Sequence, residues 1–146
     1  MTESTTTAHT HTRRMLRSIG AVVAGILANI VLSGATDAAM HAAGIFPPMF
    51  QPMADHLWGL ALAYRVVFAV AGGYLTARLA PSRPMRHVMV LAGIGTVLAL
   101  LGVLFTWNKG PEFGPHWFSI SVAIIALPCT VLGGVLGARR VARSIP

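Results

Sequence analysis

Leu57-Trp58-Gly59-Leu60-Ala61-Leu62-Ala63-Tyr64-Arg65-Val66-Val67-Phe68-Ala69-Val70-Ala71-Gly72-Gly73-Tyr74-Leu75-Thr76-Ala77-Arg78-Leu79 is the stretch whose reading decides the fold. It is long enough to cross a hydrocarbon core, which takes about 20 predominantly apolar residues. One arginine, Arg65, interrupts it far from either end, and a Gly-Gly pair precedes its basic terminus. Three further stretches have the same character. The sequence predicts spans over Ile19–Met40, Leu57–Leu79, Val88–Trp107 and Trp117–Ala138, joined by loops at Ala42–His56, Ala80–His87 and Asn108–His116. The expected fold is all-α: a bundle of four transmembrane helices in one domain, 18–140, between a disordered cytoplasmic tail (1–17) and a short cytoplasmic tail (141–146).

Composition supports a membrane class. The chain is 55% hydrophobic and only 10% charged, against about 25% charged in soluble domains. The net charge of +7 raises the question of nucleic acid, and the placement of the charges answers it. Arg13, Arg14 and Arg17, then Arg78, Arg83 and Arg86, then Arg139, Arg140 and Arg143 each abut the end of an apolar stretch. Such clusters are topology signals, so no nucleic-acid partner is expected. The lone Cys129 excludes an intrachain disulfide. Thr12-Arg13-Arg14-Met15-Leu16-Arg17 is similar to a twin-arginine export signal, but three more spans follow it, and it reads as a cytoplasmic anchor.

Orientation follows from counting. The amino terminus, the second loop and the carboxy terminus hold nine arginines, whereas the first loop has no Lys or Arg and the third has only Lys109. The positive-inside rule then places both termini and the second loop in the cytoplasm. Trp58, Trp107 and Trp117 fall at the opposite ends of their spans, where an aromatic belt belongs.

Small residues are expected to hold the bundle together, because lipid is as apolar as Leu and close backbone contact must supply the attraction. Ala21-xxx-Gly25, Ala69-xxx-Gly73-xxx-Ala77, Gly95-xxx-Ala99 and Gly133-xxx-Gly137 provide one ridge per span, with Gly72 and Gly134 beside them. Gly72-Gly73-Tyr74-Leu75-Thr76-Ala77-Arg78 matches Gly133-Gly134-Val135-Leu136-Gly137-Ala138-Arg139 at five of seven positions. That repeat suggests two tandem hairpins related by an axis along the membrane normal. Pro128, in the fourth span, frees the carbonyl of Ile124 and predicts a local kink.

One polar constellation stands out. Asn29, Ser33, Asp37 and His41 recur every fourth residue and form a polar stripe on the first helix. Arg65 lies seven residues past Trp58, about 10 Å along the helix at 1.5 Å per residue. An arginine at that depth needs a partner or a route to water, and Asp37 is the acid within a span. The sequence therefore predicts an Asp37–Arg65 pair with Tyr64 and His41 as hydrogen-bonding neighbours, either as a lock between helices or as a proton or anion site. His41, His56 and His116, with Asp55 and Glu112, are the candidates for a metal site or, as His41 with His116, for a haem. Their spacing has no dense ligand motif, and no cofactor is expected. No catalytic motif is legible.

Thr36-Asp37, His41, Gly44-Ile45-Phe46-Pro47-Pro48, Tyr64-Arg65, Gly72-Gly73-Tyr74 and Ala77-Arg78-Leu79-Ala80-Pro81 together resemble small bacterial four-helix integral membrane proteins with no defined activity. The resemblance implies the fold and no chemistry. Small multidrug transporters are similar in size, but they place a glutamate midway along the first span, where this chain has Asn29. The expected roles are a structural, accessory or homo-oligomeric component meeting itself or another membrane protein in the lipid bilayer, or a solute, proton or ion transporter or channel protomer using Asp37 and Arg65.

Overall fold

The computed structural model describes residues 3–143, with side chains from residue 13 to residue 142. Residues 1–2 and 144–146, the outermost parts of the expected tails, lie outside the described residues, as do the side chains of residues 3–12 and of residue 143. The described residues form four helices, α1 (Glu3–Ala42), α2 (Asp55–Leu79), α3 (Pro84–Thr106) and α4 (His116–Arg143), with a short 3-10 turn at Pro111–Phe113. All four contain segments long and apolar enough to cross a membrane.

The predicted spans match these helices closely, with one difference at the amino terminus. The segment assigned to a disordered tail, 1–17, is helical from Glu3. Extending an existing helix adds one hydrogen bond per residue without a new nucleus, so the apolar span can carry the backbone helix outward past its own pattern. Pro84 opens α3 at a position where its missing N–H costs nothing. Pro128 lies inside α4, which continues through it from His116 to Arg143.

The helices alternate in direction, so one end of the bundle gathers Trp58, Trp107 and Trp117 and the other gathers Arg17, Arg78, Arg83 and Arg139. We call these the tryptophan end and the arginine end. The most extensive interface joins α2 to α4; α3 packs on α4, and α1 packs on α2.

The arginine half is closed by glycine. A Cβ on Gly73 would lie 2.0 Å from the carbonyl oxygen of Thr130, and one on Gly133 would lie 1.9 Å from that of Val70. The backbones of α2 and α4 therefore touch directly. Gly25 and Gly72 do the same for α1 and α2, and Thr76 Oγ1 donates to the Ala21 carbonyl at 3.2 Å within that contact. Gly134 receives the side chain of Val88, and Gly137 lies against Tyr74 and Ala77. Ala21, Thr76, Ala77, Val88 and Ala92 are almost wholly buried in this half.

Two packing expectations need correction. A Cβ on Gly95 would meet nothing within 4 Å; Gly95 lines a half-open cavity, and the buried residues of α3 are Val88, Leu91 and Ala92. The repeated glycines are also not structural equivalents. Gly72 faces α1 while its aligned counterpart Gly133 faces α2, and Gly73 faces α4 while Gly134 faces α3. One residue of misalignment rotates a helix position by about 100°, so matching letters present different faces. The reciprocal contacts of Gly73 on Thr130 and Gly133 on Val70 are equivalent instead in a register one residue shorter than the sequence match.

Candidate functional site: a polar bridge between two cavities

At the tryptophan half polar groups enter the bundle. The stripe on α1 faces inward as its spacing requires: Ser33 is buried, and Asn29, Asp37 and His41 are half-buried. Arg65 on α2 reaches this stripe. Its Nη2 donates to Asp37 Oδ2 at 2.8 Å, and Tyr64 donates its hydroxyl to the other carboxylate oxygen. Adjacent residues of one helix thus hold both oxygens of one carboxylate on another. Each charged side chain keeps about a third of its surface accessible (31% for Arg65, 32% for Asp37).

Aromatic rings frame the guanidinium. Its central carbon lies 5.8 Å from the ring centroids of Tyr64 and Phe118, within the range at which a cation is attracted to a π face. Phe118, near the start of α4, also packs against Trp58 at 4.7 Å and against buried Phe46 and Ala61. It had no legible signal in the sequence, because its role arises from facing Arg65 across the bundle. Arg65 Nε is buried without an acceptor among the described residues, as are Ser33 Oγ and Trp58 Nε1.

Arg65 forms part of the wall of two cavities. The inner one, about 310 Å³, is lined by all four helices and half open, with Ile30 and Leu98 of its wall exposed; Asn29, Gly72, Gly95 and Thr130 line it, and its remaining wall is largely aliphatic. Its floor is the glycine-closed arginine half. The second cavity, about 280 Å³, lies at the tryptophan end under the loop between α1 and α2, where Asp37, His41, Phe46, Gln51 and Glu112 join Arg65. The Asp37–Arg65–Tyr64 cluster thus stands between two largely apolar cavities, the outer of which, the vestibule, also carries His41, Gln51 and Glu112.

The proline-rich loop shapes the vestibule. Phe46 is buried beneath it, whereas Met49 and Phe50 are exposed, and Phe50 adopts a left-handed backbone at φ 64°. His41 was expected beside the ion pair. Its Nδ1 instead donates to the Pro47 carbonyl at 2.7 Å, because the chain turns back over the end of α1 through Gly44 and offers that carbonyl. His116 turns to the Trp107 carbonyl at 2.9 Å, and His56 is exposed at the start of α2. His41 and His116 are thus tied to different loops. Among the described residues, no three metal-binding side chains come together.

Comparison with known proteins returned no matching family model, no matching curated protein and no matching solved structure.

Proposed function

We propose that this chain is a multi-pass protein of a bacterial inner membrane, with both termini in the cytoplasm, that handles a small solute through the Asp37–Arg65 site. The observation supporting this reading is that Arg65 belongs to both cavities. A purely structural ion pair gains nothing from hollow space on both sides of it. A gate must have such space, and its parts must be polar enough to rearrange. In the proposed orientation the vestibule faces outward, and the glycine-packed half forms the inner closure. Passage requires that closure to part, and an oligomer provides neighbours for helices that move.

A second reading is favoured by different residues. A Cβ on Gly20 or Gly34 of α1, or on Gly93 or Gly102 of α3, would meet nothing within 4 Å, which leaves room for another helix to approach closely there. This suits an accessory or homo-oligomeric component, whose partner is another copy of the chain or another membrane protein.

Cysteine accessibility separates the two. Ala99, which lines the inner cavity, is replaced by Cys in a Cys129→Ser background, and membrane vesicles of both orientations meet a membrane-impermeant sulfonated thiosulfonate. Labelling from both faces is the expected result, with a severalfold faster rate from the outer face in Asp37→Asn, which loses the charge closing the vestibule. Labelling from neither face, in protein that remains monodisperse, removes the solute-handling reading and leaves the structural one.

A further inference from the structure

The charge balance around the inner cavity restricts what can bind there. Arg65 is already neutralised by Asp37 at 2.8 Å. A ligand anion would add an uncompensated charge in a medium of low dielectric, where isolated charge is heavily penalised. A cation would face the guanidinium itself. Arg65 gives one N–H of Nη2 to Asp37, a guanidinium carries five N–H donors, and Arg65 forms part of the cavity wall, so the cavity favours a group that can accept from it. The rest of the wall is mostly Ile, Leu, Val, Ala and Gly, with Asn29 and Thr130 as further polar contributors. The cavity is half open, with Ile30 and Leu98 of its wall exposed, and its volume of about 310 Å³ is roughly twice that of an engineered enclosed apolar cavity of about 150 Å³ that takes benzene.

From these observations we infer that the inner cavity binds an uncharged, largely apolar molecule of about two aromatic rings' bulk, carrying a hydrogen-bond acceptor that meets Arg65. Its apolar body lies among Ile26, Leu91, Leu98, Val122 and Ile125, contributed by three helices. Asp37 and Tyr64 act as positioning residues: they hold the guanidinium from the vestibule side and supply the countercharge that makes a neutral ligand preferable to an ionic one. Gly95 makes room, since a side chain at that position would project into space that no other group occupies within 4 Å. This assignment rests on the reading of the site as solute-handling, and it names the class of solute.

Benzophenone is a suitable probe, being neutral, two-ringed, equipped with a carbonyl acceptor and photoreactive. The full chain in lipid nanodiscs is irradiated with it, and the adducts are located by peptide mass spectrometry. Saturable adducts on cavity-lining residues are expected. Fluorenone, which keeps the carbonyl, should compete at least about tenfold better than diphenylmethane, which lacks it, and 4-benzoylbenzoate should compete no better than diphenylmethane. Gly95→Leu should abolish the cavity adducts, and Gly95→Ala, which adds one methyl group in open space, should reduce them without loss of fold. Adducts confined to lipid-facing positions and unchanged by Gly95→Leu would overturn the site. Equal competition by diphenylmethane would overturn the acceptor requirement, and strongest competition by 4-benzoylbenzoate would overturn the charge argument. Labelling of Ala99→Cys from both faces without saturable adducts would reject this ligand class while sparing passage. Saturable adducts with Ala99→Cys labelled from one face alone would leave the ligand and remove passage.

Discussion

Replacing Gly73 and Gly95 separately by alanine tests the central packing claim with a built-in control. Both glycines lie inside long helices, α2 and α3, so each substitution carries the same intrinsic helix gain of up to about 1 kcal/mol. Only their surroundings differ. At Gly73 the new Cβ would sit 2.0 Å from the Thr130 carbonyl oxygen and 3.1 Å from the Gly134 amide nitrogen. These are backbone atoms of α4 and cannot rotate away. Ordinary contact begins at 3.4 Å, so the two helices must separate locally by about 1.4 Å, and neighbouring contacts such as Gly133 on Val70 loosen with them. Overpacking of this kind costs about 1–3 kcal/mol in well-packed interiors, and the loss of close helix contact adds to it in lipid. At Gly95 the methyl group meets nothing and the helix gain stands alone. Gly73→Ala should therefore be less stable than Gly95→Ala by at least about 2 kcal/mol. Reversible denaturation of both proteins in mixed micelles, followed by circular dichroism, measures the difference. Equal stabilities would mean that α2 and α4 do not meet backbone to backbone, and the closed floor of the cavity would go with that contact.

Two further outcomes are expected. Arg65→Leu should destabilise the bundle by about 1–3 kcal/mol, because it strands the Asp37 carboxylate in a site that is two-thirds covered. The double replacement Asp37→Leu with Arg65→Leu should recover at least about 1 kcal/mol of that loss, and a double variant no more stable than the single would refute the pairing. His41→Ala should release the Pro47 carbonyl, removing a bond worth about 1 kcal/mol. Hydrogen exchange at Phe50 and Gln51 should quicken, and unchanged exchange there would show that the histidine does not hold the loop.

Much of this architecture was legible in the sequence because its determinants are local along the chain. Helix length, apolar content and the positions of Trp and Arg within each stretch are properties of one segment at a time, and the predicted spans accordingly fall close to α1–α4. The Asp37–Arg65 pair was legible for a related reason. An arginine in an apolar stretch must find a partner, and the chain offers one acid at a suitable position within a span. The four-residue spacing from Asn29 to His41 placed that acid on a single inward face.

What only the tertiary structure decided is how the four helices are rotated and spaced against one another. Gly73-xxx-Ala77 and Gly95-xxx-Ala99 have the same form, yet the first brings two backbones into contact and the second borders a cavity. Phe118 beside Arg65, Thr76 bonding to Ala21 across two helices, and His41 turning to Pro47 share this origin. Each depends on the distance and angle between segments far apart in the chain, which the summed fit of the whole interface sets and no local pattern encodes.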